Sequence, residues 1–230
     1  MVKGHSAHEP ETHILLSLYD QHAQGTMTVS EQARVLRARD TLLWLDVESN
    51  HLLGLVIEGL VAAFPDARYV LTVREPRSWL ESQINQQHEK GHIEPFKTAW
   101  HRMYGGVPAT EHDARLLGQG LYGVGGYLSY WSRQNLRVLR AVPPANLMVV
   151  WTREITDRAD QIARFLGVAD VNRERTHSNR RREKTLRLDA LVAPDYLAEQ
   201  IQRHTAEAMP VLREAAAGPA PRSRRAVVEA

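Results

Sequence analysis

Apolar positions along this chain switch between helical spacing and short unbroken runs. Leu15, Leu18 and Tyr19 recur at helical intervals across residues 11–24. Thr28 and Glu31 then form a capping-box pair that opens a second helix, expected to reach about residue 38. The runs TLLWLDVE (41–48), RYVLTVR (68–74) and LMVVWT (147–152) are continuous and β-rich, the pattern of strands buried on both faces. Between the first two, HLLGLVIEGLVAAFP has helical character, so residues 41–74 predict a right-handed βαβ unit with parallel strands.

Further helices follow from the same pattern. One runs over 76–90, with Pro76 in the first turn where its missing N–H costs nothing, and Gly91 and Pro95 end it. Another covers 124–141, where Tyr127, Leu128, Trp131 and Leu136 share a face. ITDRADQIARFLGV predicts a helix that stops at Gly167, and residues 194–215 predict a last amphipathic helix kinked by Pro210. The fold class implied is α/β, with helices around a central parallel sheet. Residues 1–214 form the expected domain, and the small, Pro-bearing, basic stretch 215–230 a disordered tail.

Composition narrows the function. With 230 residues and 43% hydrophobic content, one domain with a sizeable core is expected. No apolar run is long enough for a membrane span and no signal-peptide pattern opens the chain, which implies a cytoplasmic protein. The absence of cysteine removes disulfides, thiolate nucleophiles and cysteine zinc sites. A net charge of +2, with arginines gathered toward the C-terminal half, favours a local anion site over a nucleic-acid surface.

The strongest chemical signal lies in YVLTVREPRSWLES (69–82). In an open parallel sheet, ligands collect beyond the carboxyl ends of strands, where Glu48 and Arg74 fall. A helix begins just after Arg74, so its first N–H groups and a guanidinium would offer one anion a joint site, with Ser78 and Ser82 adding hydroxyls. The plain alternative is that Arg74 pairs with Glu75 or Glu48.

VREPRSWLES resembles the 3′-phosphate-binding segment of sulfotransferases that use 3′-phosphoadenosine 5′-phosphosulfate, with Arg74, Pro76, Trp79 and Ser82 in the matching places. NLMVVWTREITDRADQIARFLGVAD is similar to their later strand and the helix ending in Phe-Leu-Gly. THSNRRREK resembles the segment that closes over the nucleotide, and GLYGVGGYLSYW the Gly/Tyr stretch before the acceptor-side helix. The resemblance covers residues 8–212 and implies a three-layer, P-loop-like α/β fold and transfer of a sulfuryl group to a hydroxyl or amine of a small molecule. It implies nucleotide contacts from Arg74, Ser78, Ser82, Asn179, Arg180 and Lys184, and acceptor contacts from Trp100, Tyr104, Tyr127 and Trp131. HSAHEPETH resembles the segment bearing the family's catalytic glutamate, which implies Glu9 as base, with Glu11 the runner-up. Neither metal, nucleic acid nor membrane is implied, and a homodimer is compatible with it.

The family's Lys/Gly/Thr-rich loop for the 5′-phosphosulfate has no counterpart here. Lys3 and Gly4 fall where the family has the end of the following helix, so an N-terminal truncation is expected, with a non-catalytic nucleotide-binding remnant as the alternative. Three competing motifs carry less. HEKGH (88–92) fits the zinc-hydrolase pattern HExxH, but in a polar context broken by Gly91 and Pro95. GQGLYG (118–123) fits GxGxxG without a preceding strand. RERTHSNRRREK (173–184) is basic without interleaved aromatics, which weakens a nucleic-acid reading.

Overall fold

The computed structural model describes residues 6–8, 11–90, 96–168 and 186–218. Four short strands and eleven helices run in the order β1 (Ser6–His8), α1 (Thr12–Ala23), α2 (Val29–Leu43), β2 (Val47–Ser49), α3 (Ile57–Ala63), β3 (Tyr69–Val73), α4 (Pro76–Lys90), α5 (Phe96–Tyr104), α6 (Ala114–Leu117), α7 (Val124–Ala141), β4 (Leu147–Trp151), α8 (Ala159–Leu166), α9 (Leu188–Leu191), α10 (Pro194–Thr205) and α11 (Ala208–Ala217) among the described residues. The fold is α/β, mostly helical, and its strand pairs are parallel: β1 with β2, and β3 with β4.

Two expectations are corrected here. The run TLLWL is not a strand. The Thr28 capping box forms, with its hydroxyl accepting from the Glu31 N–H, and the Ala/Arg/Leu-rich sequence behind it carries α2 on to Leu43. Trp44 then leaves the helix in a left-handed conformation (φ 49°), and Leu42 and Trp44 stand 86% and 81% exposed. Only Val47–Ser49 remains extended. The second correction follows: among the described residues β2 pairs with β1 rather than β3, and the parallel partner of β3 is β4, in register from Tyr69↔Leu147 to Val73↔Trp151.

The C-terminal helix is also divided. Pro210 has no N–H to offer the Ala206 carbonyl and its ring would collide with it, so the chain turns between α10 and α11 instead of bending within one helix. The last helix runs to Ala217, into the stretch expected to be a tail. By contrast α4, α7 and the stop at Gly167 follow the sequence pattern. Gly167 adopts φ 77°, and N–H groups of Val168 and Gly167 reach the Ala163 and Arg164 carbonyls, a Schellman closure.

Helix α7 is the centre of the molecule. Its Val124, Tyr127, Leu128 and Val138 join a large core with Leu15, Leu18, Leu36, Leu55, Leu80, Ile84 and Leu197. Its Trp131 and Leu136 join a smaller one with Val73, Val149, Trp151, Ala208 and Leu212. The second cluster packs the β3–β4 pair against α7 and α11, and so fixes the strand ends that carry the site.

Candidate functional site

The parallel register ends with Val73 beside Trp151, so Arg74 and Glu75 leave β3 at the same crest where Thr152 and Arg153 leave β4. Glu75 caps α4, its carbonyl accepting from the Trp79 N–H at 2.8 Å. Pro76 opens the helix, and the unpaired N–H groups of its first turn face the crest.

Arg74 is half-buried and held from two sides. Its carbonyl accepts the indole N–H of Trp131 at 3.1 Å, across from α7. Its Nε donates to Ser78 Oγ at 3.2 Å, and Ser78 donates in turn to the Glu75 carbonyl at 3.1 Å. These bonds fix the backbone and the root of the guanidinium and leave its two terminal nitrogens without a partner among the described residues. Ser82 lies one turn beyond Ser78 on the same face, half-buried, and its hydroxyl has no partner among the described residues.

Both carboxylates that could have claimed Arg74 are engaged elsewhere. Glu48 accepts a two-pronged contact from Arg39 at 2.7 and 2.6 Å, in a pair where Arg39 is only 5% exposed. Glu75 pairs with Arg153 at 3.2 Å, while the Arg153 guanidinium also lies over the Trp151 ring at 5.8 Å. Among the described residues Arg74 therefore has no carboxylate partner and stands at a helix N-terminus, an arrangement suited to anions. Arg153 belongs to the same crest and was not picked out by any sequence motif; only the strand register brings it beside Glu75.

The chain downstream is fastened to α4. Asn85 exchanges hydrogen bonds with the backbone of Leu186, donating to its carbonyl and accepting from its N–H at 2.9 Å each, and also donates to the Glu81 carbonyl. Arg77 pairs with Asp189. Asn179, Arg180 and Lys184 lie outside the described residues, but the first described residue after them, Leu186, is bonded to Asn85, which is less than a turn past Ser82 on α4.

The model of the sulfotransferase domain family matches residues 21–183, which spans both strands of the crest, α4, α7 and α8. The chain belongs to the sulfotransferase domain family. No curated protein matches it. Family membership makes this a transferase whose chemistry is sulfuryl transfer.

In this sulfotransferase the two base candidates precede the matched segment. Glu9 lies outside the described residues. Glu11 is the N-terminal boundary residue of α1, in a left-handed conformation (φ 46°), with its carboxylate 45% exposed and 3.4 Å from the His13 ring. It is well hydrated and lacks the shielding that suits a general base.

The four aromatics expected on the acceptor side of the sulfotransferase are all buried: Trp100, Tyr104, Tyr127 and Trp131 expose 5% or less. Tyr104 packs at 4.5 Å from Tyr127 and 5.1 Å edge-on from Tyr130, so it is a core ring. Trp131 serves Arg74. Trp100 also borders an open cavity, of ≈ 570 Å³, formed between α4, α5 and the GQGLYG stretch. His88 and Glu89 of HEKGH are exposed at the end of α4, and His92 lies outside the described residues. Among the described residues no group of three or more His, Asp or Glu is placed to hold a metal ion, and no helix is long and apolar enough to cross a membrane.

Proposed function

We propose that this sulfotransferase takes its sulfuryl group from 3′-phosphoadenosine 5′-phosphosulfate and passes it to a hydroxyl or amine of a small-molecule acceptor. The observation that carries the donor assignment is Arg74. Its rivals Glu48 and Glu75 are bound to Arg39 and Arg153, its backbone is anchored by Trp131, and its terminal nitrogens have no partner among the described residues, which suits them to a phosphate at the start of α4. In this reading Arg74, Ser78, Ser82 and the first N–H groups of α4 hold the 3′-phosphate, and Asn179, Arg180 and Lys184 contribute from the segment that rejoins α4 at Leu186.

In the transfer, the acceptor oxygen or nitrogen forms a bond to sulfur as the bond from sulfur to the bridging phosphate oxygen breaks. The acceptor proton goes to a base, for which Glu9 is the candidate, and the leaving nucleotide takes up negative charge. The part of this assigned to Arg74 and α4 is positioning of the nucleotide rather than bond making.

Calorimetric titration with adenosine 3′,5′-bisphosphate and with adenosine 5′-monophosphate tests the assignment. The bisphosphate is expected to bind more tightly, and Arg74→Ala to erase that preference at a cost of about 2–3 kcal/mol, the range of a hydrogen-bonded charge contact. Equal binding of the bisphosphate by wild type and Arg74→Ala would overturn it.

A further inference from the structure

His204 has no part in the site described above, yet it is bonded at three points where α10 gives way to α11. Its Nδ1 meets Ser129 Oγ at 2.8 Å, its Nε2 meets Gln200 Oε1 at 3.1 Å, and its carbonyl accepts the Ser132 hydroxyl. Ser129 and Ser132 belong to α7 and flank Trp131, so the residue ties the end of α10 to the helix at the centre of the molecule. The ring also lies close over that helix, since a Cβ added at Gly125 would come 3.1 Å from Nε2. Just beyond, Ala208 begins α11 and, with Leu212, packs against Val149 and Trp151 of β4.

The polarity of these bonds sets the state of the ring. A carboxamide oxygen only accepts, so Nε2 carries the proton and Nδ1 is the acceptor for the Ser129 hydroxyl. A neutral ring satisfies both neighbours. A second proton makes Nδ1 a donor as well, obliges Ser129 to turn its own proton toward the backbone of α7, and places a charge between two packed helices. The surrounding charges do not offset it. Arg203 acts on the ring with the same sign, and its guanidinium is bonded to Glu199 at 2.9 Å. On α7, Arg133 donates to the Met103 carbonyl at 3.2 Å, and Arg140 pairs with Glu207 at 3.0 Å. From the chain before α6 the neighbour at Gly125 is the apolar Val107. Burial first, and Arg203 second, hold the imidazole below its usual pKa of 6.5.

We propose that this joint is an acid-sensitive latch, which fastens the end of α10 and the start of α11 to α7 while the His204 ring is neutral and loosens as the ring takes a proton. The folded state binds that proton less readily than the unfolded chain. The contribution of the joint to stability is therefore complete above about pH 6.5 and is lost as pH falls through the lower folded value. The latch is independent of whatever the strand crest binds.

An NMR titration of the wild-type His204 ring, assigned through its backbone, should give a midpoint below that of an unstructured histidine and, above it, the nitrogen shifts of the Nε2–H form. Amide hydrogen exchange, corrected for its intrinsic pH dependence, should show residues 197–212 opening more readily at about pH 5.5 than at about pH 7.5, by at most about ten-fold per pH unit because one proton is taken up. His204→Gln, neutral at both values, should remove that difference. A ring midpoint at or above about 6.5, or the same pH response of residues 197–212 in wild type and His204→Gln, would overturn the proposal.

Discussion

Replacing Trp131 with phenylalanine tests whether this residue faces substrate or builds the site from behind. The indole is 2% exposed, packed with Val73, Leu136, Val149 and Trp151, and its N–H bonds the Arg74 carbonyl at 3.1 Å. Phenylalanine keeps an aromatic ring but removes that donor, leaving the carbonyl short of a partner at about 1–2 kcal/mol. It also removes part of the bicycle, and the incompletely collapsed space adds about 1 kcal/mol. The sum, about 2–3 kcal/mol, is a large share of the stability typical of a domain, and corresponds to a fall in melting temperature of roughly 4–12 °C for a chain of this size. Urea unfolding should show the midpoint falling with an unchanged slope. Binding of adenosine 3′,5′-bisphosphate should weaken as well, because the backbone of Arg74 loses its anchor to α7. A loss of stability below about 0.5 kcal/mol would refute this account. If acceptor affinity alone suffered, Trp131 would be a substrate contact after all.

Gly126 sits inside α7 where an added Cβ would come 2.2 Å from the Tyr104 carbonyl oxygen, so Gly126→Ala should destabilise by about 3 kcal/mol or more by thermal unfolding, despite alanine's better helix propensity; a neutral result would mean α5 and α7 are not in close contact there. Arg153→Ala should weaken adenosine 3′,5′-bisphosphate about two- to five-fold by uncovering Glu75, and should have no effect in a Glu75→Gln background; equal losses in both backgrounds would mean that Arg153 acts otherwise. All seven tyrosines are pushed above their usual pKa, each chiefly by burial, with Tyr69 at about 12. The neutral form is thus favoured in the folded state, so this contribution to stability is complete below about pH 10 and is lost as pH rises toward 12 and beyond. Tyrosinate absorbance should lag and then appear together with loss of far-ultraviolet circular dichroism; ionisation near pH 10 with the fold intact would contradict it.

Most helices were legible because their signals are local. The Thr28/Glu31 box, Pro76 in a first turn and Gly167 at a left-handed stop each act within one turn of the chain, and the structure places α2, α4 and α8 accordingly. The error at TLLWL has a physical cause of the same kind. A short apolar run looks alike whether it is a buried strand or the end of a helix, and the preceding helix-favouring residues decided the matter. Which strands pair is a different sort of fact, set by packing against α7 and α11 rather than by any residue's own preference, and β3 beside β4 could not be read from either run.

The site divides along the same line. Arg74, Ser78 and Ser82 stand at intervals of four, so their common face follows from helical spacing. What distinguishes Arg74 from an ordinary strand-end arginine is negative information about its neighbours, and that depends on long-range partners. Arg39 reaches Glu48 across the turn from α2 to β2, and Arg153 reaches Glu75 only because β4 lies in register with β3. The aromatics show the converse. The family resemblance implied acceptor contacts from Tyr104, Tyr127 and Trp131, yet Tyr104 on α5 and Tyr127 and Trp131 on α7 are all buried by packing around α7. One of them still contributes to the site, through a hydrogen bond to the backbone of Arg74. The proposed anion site is thus held by a core residue whose importance lies in an indole N–H, a role that neither hydrophobic spacing nor aromatic content reveals.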